Sequence, residues 1–121
     1  MIFDRTFKAL ETTLDFCLLR HSVISDNIAN AETPGFKARR VHFERELAKA
    51  VDETAEDTSA LQVSPTIEED PRNEVGQDRN TVDMDREMAE LAKNDVKYSA
   101  TSQTISKKFA LLKYAILEGE R

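Results

Sequence analysis

The sequence predicts an all-α protein in which two long N- and C-terminal helices pair as an antiparallel coiled-coil hairpin around an irregular, partly disordered middle segment. All three prolines lie between residues 34 and 71, and residues 1–31 and 77–118 contain neither proline nor glycine. In both of these uninterrupted stretches, apolar residues recur in alternating steps of three and four, which is the spacing of a coiled coil. The 121 residues include only three glycines, three prolines and no tryptophan, a composition that suits long helices better than a β-sandwich.

The first helix is predicted within residues 1–33, and its apolar residues form one continuous stripe along one face. Its opposite face is charged, with Asp4, Lys8, Glu11 and Asp15, as expected for a face in water. The stripe, which we call the first seam, consists of Phe3, Phe7, Leu10, Leu14, Cys17, His21, Ile24 and Ile28.

The middle, residues 34–80, is predicted to hold a turn, a short helix and a flexible acidic connector. Residues 43–51 fit a short amphipathic helix, and residues 37–45 form a basic cluster. Residues 52–70 contain seven acids and no Lys or Arg, so the chain there repels itself and has little to bury. A brief strand at 61–67, interrupted at Pro65, is the other structure that this stretch allows.

The second predicted helix belongs to residues 81–121. Asp83 or Asp85 suits its N-terminal cap, and Gly119 lies where a helix is expected to stop. Its stripe, the second seam, consists of Met84, Met88, Leu91, Asp95, Tyr98, Ser102, Ile105, Phe109, Leu112 and Ile116. Three polar residues interrupt the seams, namely His21, Asp95 and Ser102. Either they lie at a wet edge of the hairpin, or they fix the register or choice of partner as single buried polar residues do in coiled coils.

Further apolar residues lie outside both seams, and there are too many of them for a hairpin surrounded by water. We expect them to contact neighbouring subunits in an assembly. They are Phe16, Leu18, Leu19, Val23, Val96, Leu111 and Ala115.

Composition and residue spacing predict no catalytic, metal or cofactor site. Cys17 and His21 are four residues apart, but both lie in the first seam without a third group to orient them, which favours core packing. A single cysteine forms no internal disulfide, and the scattered glycines form no phosphate loop. The formal net charge of −6 argues against binding of bulk nucleic acid or an anionic membrane. No apolar run approaches the roughly 20 residues of a membrane span, and the N-terminal residues lack the features of a cleaved signal peptide.

The most specific stretch lies at the end of the first helix, at residues 25–37. Thr33 precedes a proline and is biased away from helix, and Pro34-Gly35 suits the centre of a type II turn. Two asparagines three residues apart stand on one helical face just before this turn, and their amides can satisfy last-turn carbonyls or the backbone of a neighbouring chain. The motif residues are Asn27, Ala29, Asn30, Thr33, Pro34, Gly35, Phe36 and Lys37.

These residues resemble the signature of the bacterial flagellar basal-body rod and hook proteins. Residues 80–88, Tyr98 and residues 107–116 are similar to the C-terminal helix of the most proximal rod subunit, the B component, with the neighbouring C component as the alternative. The resemblance implies a structural subunit that is exported by the flagellar type III apparatus without cleavage and assembles into the rod, in the periplasmic space. Its implied partners are copies of itself, neighbouring rod proteins, the adaptor between rod and membrane ring and, transiently, the export gate. Phe3 and Phe7 are then candidates for an export signal.

The alternative from another class is a cytosolic helical-hairpin adaptor or chaperone that binds a partner helix in its groove. Such a protein has no need of the asparagine-rich motif, which therefore favours the rod subunit.

Overall fold

The computed structural model describes residues 2–52, 63–71 and 77–119. Two long helices, α1 (Ile2–Ala29) and α3 (Met84–Gly119), enclose the middle of the sequence as expected. Between them lie strand β1 (Arg39–His42), helix α2 (Glu44–Asp52) and strand β2 (Thr66–Glu69). Flexibility is predicted for the acidic residues 52–70, of which 53–62 lie outside the described residues.

Helices α1 and α3 pack against each other in opposite directions, which confirms the predicted hairpin. The Phe7 ring stacks on that of Phe109 with the centroids 4.8 Å apart. Farther along α1, Asn94 Nδ2 donates to the carbonyl of Cys17 at 2.8 Å. Residue numbers thus fall along α3 as they rise along α1, the arrangement of an antiparallel pair.

The starts of α3 and α2 follow ordinary capping chemistry. Asp83 caps α3, because its Oδ1 accepts hydrogen bonds from the backbone N–H groups of Asp85 and Arg86 at 3.1 and 3.3 Å. Helix α2 begins where the N–H of Leu47 donates to the carbonyl of Phe43 at 2.9 Å. The short helix predicted for residues 43–51 is therefore present with nearly those bounds.

The middle also contains a two-stranded antiparallel sheet, of which the sequence predicted only one strand. β1 pairs with β2 so that Arg39 lies opposite Glu69 and Arg40 opposite Glu68. The basic cluster thus supplies one strand and the acidic stretch the other, but both arginines form their ion pairs with carboxylates outside the sheet. β2 overlaps the end of the strand considered for 61–67, but it follows Pro65 rather than spanning it.

The core lies where the middle segment folds back onto α1 and α3. Phe43 is 1% exposed and, with Cys17 and Val41, forms the centre of the buried cluster. Three residues expected at a subunit interface belong to this core instead: Val23 is buried in it, and Phe16 and Leu19 pack against it. These side chains are covered by β1 and α2 of the same chain instead of by another subunit. The periodicity of α1 alone does not reveal this packing.

The buried side of α3 differs from the second seam. Its buried residues are Glu87, Asn94 and Thr101, spaced by seven, each one position before a residue of that seam. Leu91 and Ile105 are half-buried and belong to both stripes, whereas Met88, Asp95 and Ser102 are exposed. The helix is thus rotated so that specific polar contacts, described below, replace apolar ones. Within the described ranges, no helix is both long and apolar enough to cross a membrane.

Candidate functional site

The motif at the end of α1 forms a tight reversal of the chain. Thr33, Pro34, Gly35 and Phe36 make a four-residue turn closed by a hydrogen bond from the N–H of Phe36 to the carbonyl of Thr33 at 3.2 Å. Gly35 has φ +77°, the left-handed conformation required at the third position of a type II turn. This agrees with the Pro-Gly turn predicted from the sequence.

Asn27 fastens the strand after the turn to α1. Its side chain is fully buried, with Nδ2 donating to the carbonyl of Arg39 at 2.9 Å and Oδ1 accepting from the N–H of Arg39 at 3.1 Å. The amide thereby pairs with β1 as a neighbouring strand would. Nδ2 also lies 3.1 Å from Oε2 of Glu87, so the same side chain ties α1 to α3.

Asn30 has a local role, and its backbone connects to the segment that leads into α3. Its Nδ2 donates to the carbonyl of Asp26 at 2.8 Å, and its Oδ1 accepts from the Thr33 hydroxyl at 3.0 Å. Asn80 reaches back from the other end of the chain, donating from Nδ2 to the carbonyls of Asn30 and Thr33, both at 2.8 Å. It thus satisfies carbonyls that the end of α1 leaves without helical partners.

The remaining motif residues extend this contact along residues 78–81. The N–H of Gly35 donates to the carbonyl of Asp78 at 2.9 Å, and the carbonyl of Phe36 accepts from the N–H of Thr81 at 3.0 Å. Lys37 Nζ donates to the carbonyl of Arg79 at 2.6 Å. The motif is therefore the junction at which the end of α1 meets the start of α3, while Ala29 and Pro34 are exposed.

A buried ionic cluster lies directly beneath this junction. Arg40 holds Glu87 in a two-pronged pair, Nη1 to Oε2 at 2.9 Å and Nη2 to Oε1 at 2.5 Å. Arg40 Nε and Arg86 Nη2 each lie 3.0 Å from Oδ2 of Asp70, which immediately follows β2. Burial would lower the pKa of Arg40, but the hydrogen bonds and charges of Glu87 and Asp70 outweigh it and raise that pKa, so the guanidinium stays charged. The cluster connects β1, β2 and α3 through charges that are expensive to leave unpaired.

Phe43 fills the space between the two long helices on the other side of β1. Its ring centroid lies 4.9 Å from that of Phe16, 4.7 Å from the guanidinium carbon of Arg20 and 4.9 Å from Nζ of Lys97. Both cations also bind Glu44, at 2.5 Å from Arg20 Nη1 and 3.1 Å from Lys97. Burial would raise the pKa of Glu44, but the hydrogen bonds from Arg20, Lys97 and backbone amides hold it well below its ordinary value.

No catalytic arrangement forms around Cys17 and His21. Cys17 is buried, and burial raises its pKa against the opposing charges of Lys97 and Arg20, so the thiol is not activated as a nucleophile. His21 is exposed, with Nδ1 3.9 Å from Oδ1 of the exposed Asp95, so these two polar seam residues meet at a wet edge. Where the structure describes side chains, no three His, Cys, Asp or Glu residues are grouped as metal ligands.

The C-terminal part of α3 exposes a large apolar surface. Six of the nine residues from Phe109 to Leu117 are large, apolar and at least one-third exposed, and at 100° per residue they surround the helix. A helix that is apolar on all sides is normally buried. We call this surface the α3 tail; its members are Phe109, Leu111, Leu112, Tyr114, Ile116 and Leu117.

The expected subunit contacts divide between this exposed surface and the core. Leu18, Val96 and Leu111 are 55, 70 and 64% exposed, and Ala115 is exposed as well. Phe7 of the candidate export signal packs on Phe109, whereas the side chain of Phe3 lies outside the described residues.

Comparison with known proteins places this junction and this helical pair in one family. Residues 18–37, the second half of α1 and the whole motif, match the family model of the flagella basal body rod protein. The flagellar basal body rod protein FlgB of Bacillus subtilis is 32% identical over 127 residues, which cover 98% of each chain. FlgB of Aeromonas hydrophila is 34% identical over 98% of this chain and 97% of its own, and FlgB of Escherichia coli is 31% identical over 85 and 86%.

The chain belongs to the FlgB family of flagellar basal body rod proteins. The resemblance drawn from the motif and the C-terminal helix is thereby confirmed. The motif that matches the rod-protein family model is also the part of the fold where the two helices are joined, and the Asn27 amide holds that junction by hydrogen bonds to Arg39 and Glu87.

Sequence reasoning missed the partners that complete the junction. Asn80 and Glu87 lie in the stretch that carries the resemblance, Arg40 in the basic cluster and Asp70 in the acidic run, and none of them was predicted to make a specific contact. The one available clue was the heptad spacing of Glu87, Asn94 and Thr101, a polar stripe beside the apolar one.

Proposed function

We propose that the α3 tail and the exposed residues Leu18 and Val96 bind copies of this chain and neighbouring rod proteins, so that the helical pair becomes one element of the rod. As a member of the FlgB family, the chain is a structural subunit of the flagellar basal body rod. The finer steps, namely type III export without cleavage, assembly in the periplasmic space, contact with the adaptor at the membrane ring and transmission of torque, are part of this proposal. The function is mechanical and needs no catalytic site.

The observation that supports this proposal is the exposure of the α3 tail. Full burial of a side chain such as Leu or Phe contributes about 1.5–3 kcal/mol, and the tail presents six large apolar side chains that remain 36–67% exposed, although Phe109 stacks on Phe7. Burial against other subunits recovers this free energy, whereas exposure in a lone subunit does not.

Substitution within the exposed surface tests the assembly role. Val96→Lys with Leu111→Lys adds two charges at positions that are 70 and 64% exposed, so the helical content of the purified chain should stay unchanged by circular dichroism. In a strain that lacks the native gene, this variant should be absent from purified basal bodies and motility should be lost. The matched control is Ser99→Lys with Gln103→Lys, which adds the same charges at exposed polar positions of α3. Normal motility of the Val96/Leu111 variant, or retention of the native chain in the cytosol as expected of an adaptor, would contradict the proposal.

Export is tested separately at Phe3 and Phe7. In the folded chain Phe7 packs on Phe109, so the proposed docking to the export gate precedes pairing of the helices. A Phe3→Ala, Phe7→Ala variant should accumulate inside the cell, whereas Phe109→Ala, which removes the partner of the same ring contact, should be exported normally. Equal export of both variants would refute the docking role and leave the assembly role intact.

A further inference from the structure

One edge of strand β2 pairs with β1, and the other edge has no partner strand among the described residues. The N–H of Asp70 donates to the carbonyl of Ala38 at 2.9 Å, and Arg40 lies opposite Glu68. Because hydrogen-bonded residues alternate along an antiparallel ladder, the backbone N–H and C=O groups of Ile67 and Glu69 point away from β1. Among the described residues, none makes a hydrogen bond to these four groups.

The open edge is held in a fixed position. Asp70, at its C-terminal end, has a side chain only 1% exposed, and its Oδ2 lies 3.0 Å from both Arg40 and Arg86. All four residues of β2 are nevertheless exposed, including Ile67 at 44%. A two-stranded sheet is marginal by itself, and a third strand stabilises it.

The two prolines that flank β2 define the length of the available edge. Pro65 and Pro71 continue the outward-facing alternation of Ile67 and Glu69, and proline has no N–H to offer a further strand. An incoming segment therefore pairs with the backbone of Ile67 and Glu69 alone. The prolines therefore prevent pairing with a long strand, and they leave a short stretch of backbone to which a segment can bind.

The charges on β2 determine which kind of strand can pair with its open edge. The carboxylates of Glu68 and Glu69 are exposed, and neither forms an ion pair with a described residue. A second copy of β2 added antiparallel would bring glutamates opposite one another, which is unfavourable. The chain's own β1 shows the complementary pattern, with Arg39 opposite Glu69, Arg40 opposite Glu68 and Val41 opposite Ile67.

We propose that the open edge of β2 binds, by antiparallel strand addition, an extended basic segment of a neighbouring protein in which two Lys or Arg residues precede an aliphatic residue. The segment's backbone pairs with Ile67 and Glu69, and its cations face Glu68 and Glu69. This edge belongs to the short sheet and not to the α3 tail, so the inference does not rest on the assembly role proposed above.

A peptide titration tests the inference on the full chain. The probe is a synthetic peptide with the sequence of residues 38–43, acetylated and amidated, added to ¹⁵N-labelled protein at low salt. We expect saturable shifts and slower hydrogen exchange at the amides of Ile67 and Glu69. A peptide with glutamate in place of both arginines should not bind.

Two variants separate the backbone and charge contributions. Ile67→Pro removes an outward N–H that β1 does not use, so the fold should persist by circular dichroism while peptide binding is lost. Glu68→Gln with Glu69→Gln should weaken binding about tenfold, as expected for losing two cross-strand charge pairs. The matched control, Glu32→Gln with Glu118→Gln, removes two exposed charges elsewhere and should bind as the native chain does.

Four results would overturn the inference. They are the absence of shifts at millimolar peptide, equal binding by the Ile67→Pro variant, shifts centred on residues 39–42 that indicate displacement of β1, and peptide-free self-association through the Ile67 and Glu69 amides. Loss of assembly in the α3 variants with normal peptide binding would leave the inference standing.

Discussion

Asn27 and Asn30 provide a direct comparison of two asparagines in one motif. Substituting Asn27 with alanine removes a fully buried amide with three hydrogen bonds, whereas Asn30→Ala removes an amide whose contacts lie at the surface. The two substitutions delete the same atoms three residues apart. The difference between their effects on stability therefore measures the surroundings of each asparagine and not the residue type.

The expected magnitude follows from what each substitution leaves behind. In Asn27→Ala, the carbonyl of Arg39 and Oε2 of Glu87 both keep a hydrogen bond from Arg40 Nη1. The N–H of Arg39 keeps no other partner among the described residues, and an orphaned buried donor costs about 1–3 kcal/mol. With the small cavity added, we expect the free energy of unfolding to fall by about 2–4 kcal/mol. For Asn30→Ala, water replaces the lost bonds and the expected loss is about 0.5–1 kcal/mol.

Urea unfolding at 25 °C, followed by circular dichroism at 222 nm, measures both values. Asn27→Asp serves as a further probe, because it keeps the size of the side chain but places a second carboxylate beside Glu87. We expect this variant to be at least as unstable as Asn27→Ala. The reasoning is refuted if Asn27→Ala loses no more stability than Asn30→Ala, or if Asn27→Asp is as stable as the native chain.

Three further outcomes are expected. Phe43→Ala should lower the free energy of unfolding by about 3–5 kcal/mol in the same urea assay, because it empties the space between α1 and α3, whereas the control Val51→Ala, at a half-exposed position, should change it little. Gly35→Ala should cost about 1 kcal/mol, since φ is +77° and no atom lies within 4 Å of the added Cβ; a loss below experimental error would show that the turn does not need its left-handed residue. Folding lowers the pKa of Glu44, so its ionised carboxylate stabilises the fold above the ordinary carboxyl pKa of 4.5, and this stabilisation is lost as the pH falls. The free energy of unfolding of Glu44→Gln should therefore lie below that of the native chain at pH 7 and approach it at pH 3. An equal difference at both pH values would contradict the assignment.

The helices and the turn were predictable because their signals are local. Proline and glycine are confined to the middle of the chain, and the step pattern of the seams needs only a few neighbouring residues. Thr33-Pro34-Gly35 likewise determines a turn by backbone stereochemistry alone. These features place both long helices and the junction within a few residues of their observed bounds.

The sheet and the buried side of α3 were not predictable in this way, because they depend on residues distant in sequence. β1 contains two arginines and a histidine, a composition that indicates a strand only once the acidic β2 lies beside it. Glu87 is buried because Asn27 and Arg40 satisfy it, and these partners are 60 and 47 residues away. Apolar periodicity therefore indicated the second seam as the buried side of α3, because it carries no information about a carboxylate that accepts three hydrogen bonds from distant residues.

The polar contacts between α1 and α3 also fix the register of the two helices along each other. Glu87 meets Asn27 and Asn94 meets the carbonyl of Cys17, so sliding α3 by one heptad, about 10 Å, would part every one of these pairs at once. Apolar seams tolerate such slippage far better, because one leucine substitutes for the next. With 36 residues against 28, α3 therefore extends beyond α1 by the same distance in every copy of the chain.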